Sequence, residues 1–183
     1  MIVKLKGFVE DLNDDSIDID VSGVVFRVFL SMRDLGEITK EGEKIKINIH
    51  EILRDDARFF FGFIDINEKL IFEDLIKVQG VGGKVALNII SMLTVEKIVE
   101  TVKNNLTTNF TQIPGIGKKV SMRLVNEMRD KIEKGRYYFD KKELDILFNQ
   151  DKLNDLISCL TNLGYHPKIS EEISRGLITD EKD

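Results

Sequence analysis

From Met1 to Phe63 the apolar residues recur at every second position, which predicts half-buried strands. Val3, Leu5 and Phe8 are set off by Lys4 and Lys6, and Ile17, Ile19 and Val21 by Asp18 and Asp20. Val24, Phe26, Val28 and Leu30 follow a Ser22-Gly23 turn. Ile45, Ile47 and Ile49 alternate with Lys46 and Asn48, and Ala57 to Phe63 reads as an aromatic strand in which Gly62 marks a bulge or a close approach. Five short strands in so short a span predict a small barrel, with the OB-fold as the leading candidate.

Past Phe63 the period changes to that of helices. Leu70, Ile71, Leu75, Ile76 and Val78 predict one helix, and Val85, Leu87, Ile89, Ile90 and Leu93 a second. Thr94 stands as the N-cap of a third, which carries Val95, Ile98, Val99 and Val102. A short helix is expected around Leu106 to Phe110, then a long one with the stripe Val120, Leu124, Val125, Met128 and Ile132. After Lys134 the pattern weakens into a linker with at most a short helix at Glu143 to Phe148. Leu153, Leu156, Ile157, Leu160 and Leu163 predict an amphipathic helix ended by Gly164, and Ser170 caps another that reaches about Arg175. The expectation is an α+β multidomain chain: a barrel over 1–63, a helical domain over 64–134, a linker over 135–150 and a small two-helix element over 151–183.

Between the helices one phrase occurs twice, 35 residues apart: Val78-Gln79-Gly80-Val81-Gly82-Gly83-Lys84-Val85 and Ile113-Pro114-Gly115-Ile116-Gly117-Lys118-Lys119-Val120. Two glycines around one aliphatic residue make a tight hairpin, because Gly takes positive φ freely and lets the main chain approach a ligand closely. The helix that follows presents unpaired N–H groups and the positive end of its dipole, which together suit an anion, and the lysines add full charge. Duplication in register predicts paired helix-hairpin-helix units, with Gly80, Val81, Gly82, Lys84, Gly115, Ile116, Gly117, Lys118 and Lys119 contacting DNA phosphates. The bland reading, that the glycines only turn the chain, leaves the matching lysines unexplained. A nucleotide loop is excluded, since the Walker pattern needs a first Gly where Val78 and Gln112 stand and a Ser/Thr where Val85 and Lys119 stand. The dinucleotide fingerprint fails at Val85 and Val120, which occupy its third glycine position.

The formal net charge is −5, at first sight unfavourable for nucleic acid, but it is unevenly distributed. Residues 1–63 carry 9 Lys/Arg against 13 Asp/Glu, residues 64–135 carry 11 against 9, and residues 136–183 carry 7 against 10. Only the segment with both hairpins is basic, and phosphate binding depends on local charge. Cys159 is the single cysteine and falls among Leu156, Leu160 and Leu163, so it is expected as a small core residue. His50 and His166 have no metal-ligand spacing, and neither a metal nor a cofactor is implied. The start of the chain lacks a signal-peptide core and no apolar run is long enough to span a bilayer, so no membrane is expected and the cytoplasm is the default location.

Asp55-Asp56 falls between the fourth and fifth strands, where pattern alone favours a solvated turn over a catalytic carboxylate pair, since no acid/base partner stands nearby. Phe59-Phe60-Phe61-Gly62-Phe63 is expected to serve core packing rather than base stacking, because the neighbouring strands are acidic. Two other readings stay open beside phosphate binding by the paired hairpins: a helix-hairpin-helix repair enzyme, although no base-flipping constellation accompanies either hairpin, and an accessory module for single-stranded or duplex DNA.

The chain resembles the RuvA family, the Holliday-junction-binding subunits of the bacterial branch-migration complex. The likeness rests on Met1-Ile2-x-x-Leu5-x-Gly7, Val21-x-Gly23-Val24, Arg54-Asp55-Asp56-Ala57 with Phe61-Gly62-Phe63, Gly80-Val81-Gly82-x-Lys84-x-Ala86-Leu87, Pro114-Gly115-Ile116-Gly117-Lys118-Lys119 with Arg123-Leu124, and Leu163-Gly164-Tyr165. It implies an OB-fold domain, a tandem helix-hairpin-helix domain and a third domain that binds a RuvB-type hexameric ATPase. It also implies a homotetramer on four-way junction DNA, which a second tetramer can close from the other face, and a RuvC-type junction resolvase as a further partner. Arg123 joins the DNA-contacting set, and Asp55 and Asp56 match the family's acidic pin at the tetramer centre, where like charge repels phosphate backbones. Such a subunit has no catalytic site of its own and serves recombination and repair. The third domain departs from the family, which ends in three helices where two are expected here. Leu153, Leu156, Ile157 and Leu160 are the candidate motor contacts, with that small domain's own core as the other reading.

Overall fold

The computed structural model of the protein describes residues 1–54, 57–134, 137, 157–161, 164–165 and 169. Asp55, Asp56, Leu153, Leu156, the linker apart from Tyr137, and the second C-terminal helix lie outside the described residues. Two compact units divide the chain, Met1–Tyr137 and Tyr138–Asp183.

Five strands, β1 (Lys4–Leu12), β2 (Ser16–Val21), β3 (Val24–Phe29), β4 (Lys44–Arg54) and β5 (Ala57–Phe63), close a barrel in the order β1-β2-β3-β5-β4. The β3–β5 pairing is parallel and the other four are antiparallel. This five-stranded closed barrel followed by helices is the architecture that the period-two pattern predicts. Leu5, Val9, Ile17, Ile19, Val28, Leu30, Ile38, Ile47 and Ile49 fill its interior. In β1 Leu5, Gly7 and Val9 keep the period of two, so Phe8, which falls out of phase with them, is exposed, as is Val3 ahead of the strand. The register shifts only beyond that stretch, between Val9 and Asp11. Gly62 is a close-approach point, since a Cβ there would lie 2.5 Å from Val28 Cγ1 and 2.6 Å from Ile47 Cδ1.

A short helix absent from the sequence reading, α1 (Met32–Glu37), joins β3 to β4 and is capped by Ser31, which accepts from the Asp34 N–H. Six residues are too few to register a helical period. The five helices that follow are α2 (Ile66–Leu75), α3 (Gly83–Met92), α4 (Val95–Lys103), α5 (Thr107–Thr111) and α6 (Lys118–Glu133). Thr94 caps α4 by accepting from the Lys97 N–H at 3.2 Å. That helix ends at Asn105 (φ 58), whose N–H donates to Val102 O while Leu106 N–H donates to Thr101 O, the paired bonds of a left-handed helix stop. Residues 157–161 are helical and end in the same way at Gly164 (φ 94), as expected. There Ile157 and Leu160 are half-buried, but Cys159 is exposed. The core placement expected for Cys159 is therefore wrong: that turn covers its neighbours at i−2 and i+1 and leaves position 159 on the open side.

The helices pack on the outer face of the barrel. Phe72 of α2 stands 5.0 Å from Phe61 and 4.9 Å from Phe63 between ring centroids, so the aromatic strand packs as core on the face it turns to the helices. Beside this contact Arg33 of α1 donates to Glu68 of α2 (3.1 Å) and to the Ile90 carbonyl of α3 (3.0 Å). Asp34 and Glu68 are buried there. Burial pushes Glu68 up to about 7, helped by the neighbouring Asp34 charge, and burial pushes Asp34 up to about 6. At the far end of α2 the buried Asp74 accepts from Lys77 (3.0 Å) and from the Tyr137 hydroxyl (3.0 Å).

Candidate nucleic-acid interface

Each repeated phrase forms a four-residue turn. Val81 N–H donates to Val78 O at 3.0 Å and Ile116 N–H donates to Ile113 O at 3.1 Å. Gly80 (φ 98) and Gly115 (φ 90) occupy the third position, the left-handed place that defines a type II turn. Val78, Val81, Ile113 and Ile116 are buried and anchor the turns, so the residue between the two glycines points inward rather than toward a ligand. Val81 and Ile116, named as DNA contacts in the sequence, keep their side chains in the core and use their N–H groups to close the turns.

The helices leaving the turns begin unprotected. Gly82 caps α3 and Gly117 caps α6 without a side-chain hydrogen bond, and neither first turn contains an acid. By contrast α1, α2 and α4 are capped by Ser31, Asp65 and Thr94 and carry Asp34, Glu68 and Glu96 in their first turns. Where a cap or a carboxylate would satisfy the N–H groups, the hairpin helices leave them for an anion. A Cβ at Gly82 or Gly117 would meet nothing within 4 Å, so both helix ends open on a face that a backbone can approach. Lys84, Lys118 and Lys119 are exposed at the same two helix starts. Lys84 Nζ lies 3.6 Å from Asp15 of the β1–β2 turn, an exposed pair that phosphate can replace.

The two turns are braced against one another. A Cβ on Gly80 would stand 3.2 Å from Val120 Cγ2, and one on Gly115 would stand 3.3 Å from Val85 Cγ2. Each glycine thus faces the valine that begins the other unit's helix, and the exchange gives the pair an approximate two-fold relation. Arg123 of α6 donates Nη1 to the Gln79 carbonyl at 2.9 Å, and its Nε lies 3.8 Å from Glu127. The hairpins therefore come together as the repeat predicts.

Sequence reasoning missed two features. One is the paired role of Val85 and Val120, which the repeat itself displays. The other is the reason the copies differ at Gly83 and Lys118. A Cβ at Gly83 would fall 2.4 Å from Phe61 Cζ, so the first unit is packed against the barrel, whereas position 118 is exposed and takes a third lysine. Asp55 and Asp56 follow β4 in sequence and lie outside the described residues, as do Leu153 and Leu156. Among the described residues no helix is long and apolar enough to cross a membrane.

Comparison with known proteins matches both halves of this arrangement. A family described as the RuvA N-terminal domain matches residues 1–62, and one described as a SAM-like helix-hairpin-helix tandem matches residues 72–130. Three relatives carry the name Holliday junction branch migration complex subunit RuvA. The one from Idiomarina loihiensis is 33% identical over 94% of this chain and 88% of its own. That from Legionella pneumophila strain Corby is 35% identical over 96% and 91%, and that from Agrobacterium fabrum is 36% identical over 90% and 83%.

Proposed function

Because this chain belongs to the RuvA family, we propose that it binds four-way DNA junctions through both hairpins, holds them open, and recruits an ATP-driven motor of the RuvB type for branch migration. The observation that carries this reading is the pair of glycine-started, uncapped helices brought side by side, with lysines at both starts. Each holds a phosphate with backbone N–H groups and a lysine, and none of these groups reads a base edge, so recognition is of shape. Four chains around one junction present eight such cradles to its arms. Asp55 and Asp56, between β4 and β5 in sequence, repel the backbones that converge at the crossover and favour the open form. The C-terminal element, with Leu153, Leu156, Ile157 and Leu160, takes the motor, and the chain itself performs no chemistry.

Gel shifts with a synthetic four-way junction and a linear duplex of the same arm sequence test the reading. A clear preference for the junction is expected at every salt concentration. Equal binding of the two would remove the junction assignment, and a preference for single strands would favour an accessory single-strand module instead.

A further inference from the structure

The two hairpins adopt the same turn from different residues. In the second, Pro114 occupies the second position, where its ring holds φ near the type II value. In the first that position is Gln79, which has no such constraint. A turn of this kind has one weak point: its central peptide can rotate between type I and type II, which swings the carbonyl of the second residue and the N–H of the third to opposite sides. In the first hairpin that carbonyl is the one taken by Arg123 Nη1 at 2.9 Å.

We propose that Arg123 is a positioning residue that locks the Gln79–Gly80 peptide, and with it the first DNA cradle, supplying from α6 the constraint that the proline ring supplies at Pro114. In a trans peptide the C=O and N–H point in opposite directions, so pinning the Gln79 carbonyl toward α6 fixes the direction of the Gly80 N–H as well. Val120, 3.2 Å from where a Gly80 Cβ would be, closes the same side of the turn. At the corresponding places of the other unit stand Asn88 and Pro114, and there the ring already does the work. The brace also joins the two units, because the side chain that sets the first cradle rides on the helix that begins at the second. This inference rests on the DNA-binding reading, but it assigns Arg123 to the protein's own backbone rather than to a phosphate.

The full chain is compared as wild type, Arg123→Gln, Gln79→Pro and the double variant. Junction affinity is measured across a salt series, and the Gly80 amide is followed by NMR hydrogen exchange without DNA. Arg123→Gln is expected to weaken junction binding by about five- to tenfold with the salt slope unchanged, and to speed exchange at Gly80. Adding Gln79→Pro should restore affinity to within about twofold, because the ring replaces the lost brace. A salt slope reduced by about 1 in Arg123→Gln would mean a direct phosphate contact and overturn the proposal. So would an unchanged Gly80 amide in that variant, and both readings stand even if the proline variants fail to fold. Should the wild type not bind junctions at all, the DNA reading falls, while the Gly80 amide still decides whether Arg123 is the brace.

Discussion

Glu68 and Asp34 are carboxyls placed where neither is comfortable as an anion: buried between α1, α2 and α3, with Arg33 as the neighbouring cation. In an unfolded chain both ionise near the ordinary carboxylate value of about 4. Folded, Asp34 holds its proton up to about 6 and Glu68 up to about 7. The folded state thus binds more protons between about pH 4 and pH 7, and their contribution to stability is full below that window and lost as pH rises through it. Glu68→Gln keeps the shape and an acceptor for Arg33 but cannot ionise. It is expected to raise stability at pH 8 by about 1–2 kcal/mol and to change little at pH 4, measured by denaturant unfolding at both. An identical pH dependence in the variant would show that Glu68 is not the titrating group. Nothing in the local pattern around these residues marks them as buried, because the helix position of Glu68 is set by a partner 34 residues away. Asp55 and Asp56 are the opposite case, legible as a pair of acids and named as a pin only through the family. Asp55→Asn with Asp56→Asn is expected to leave junction affinity equal or higher while strand opening at the crossover, read with fluorescent base analogues, declines; a large loss of affinity would contradict the repulsive role.

At the scale of the element, each hairpin assigns different work to its two glycines. Gly115 lies at φ 90 with Val85 in contact range, so Gly115→Ala meets both a conformational penalty and a tight neighbour. A loss of about 1–2 kcal/mol in thermal or denaturant stability is expected. Gly117 has an ordinary extended conformation (φ −89) and open space around it, so Gly117→Ala should fold with less than about 1 kcal/mol lost. Its methyl group would stand on the face proposed to receive phosphate, and the expected result is weakened junction binding by a well-folded protein. If Gly117→Ala bound normally, the open face at this helix start would not be the contact surface. The repeat made both glycine pairs visible in the sequence, because a turn and a helix start are local events. Which glycine bends the chain and which clears a path emerged only from the backbone angles and the neighbours of each.

For the whole molecule, charge is the property that sequence and structure share most directly. A chain of net charge −5 is net basic only in the segment that carries both helix starts, where acids are sparser, so its binding should be strongly salt-dependent. A slope of about −2 to −4 in log affinity against log salt is expected per chain, from the few phosphates two cradles can neutralise. Lys119→Ala should lower it by about 1, whereas a slope near zero would exclude the phosphate-centred mode altogether. Light scattering with and without a synthetic junction would give the number of chains, with four expected around one junction. What the sequence alone determined were the features that depend on near neighbours along the chain: the change from a period of two to one of 3.6, the caps and stops, the paired hairpins and the basic segment around them. It missed α1, which is too short to show a period, and it grouped Phe8 with Leu5 although the inward phase of β1 runs through Gly7 to Val9. Only the tertiary structure decided why Gly83 and Lys118 differ, that Val85 and Val120 seat each other's turn, that Arg123 reaches Gln79, and that Glu68 and Asp34 share a buried site. Each of these is a contact between positions far apart in the chain, and a pattern of neighbours carries no record of which distant residue will arrive beside it.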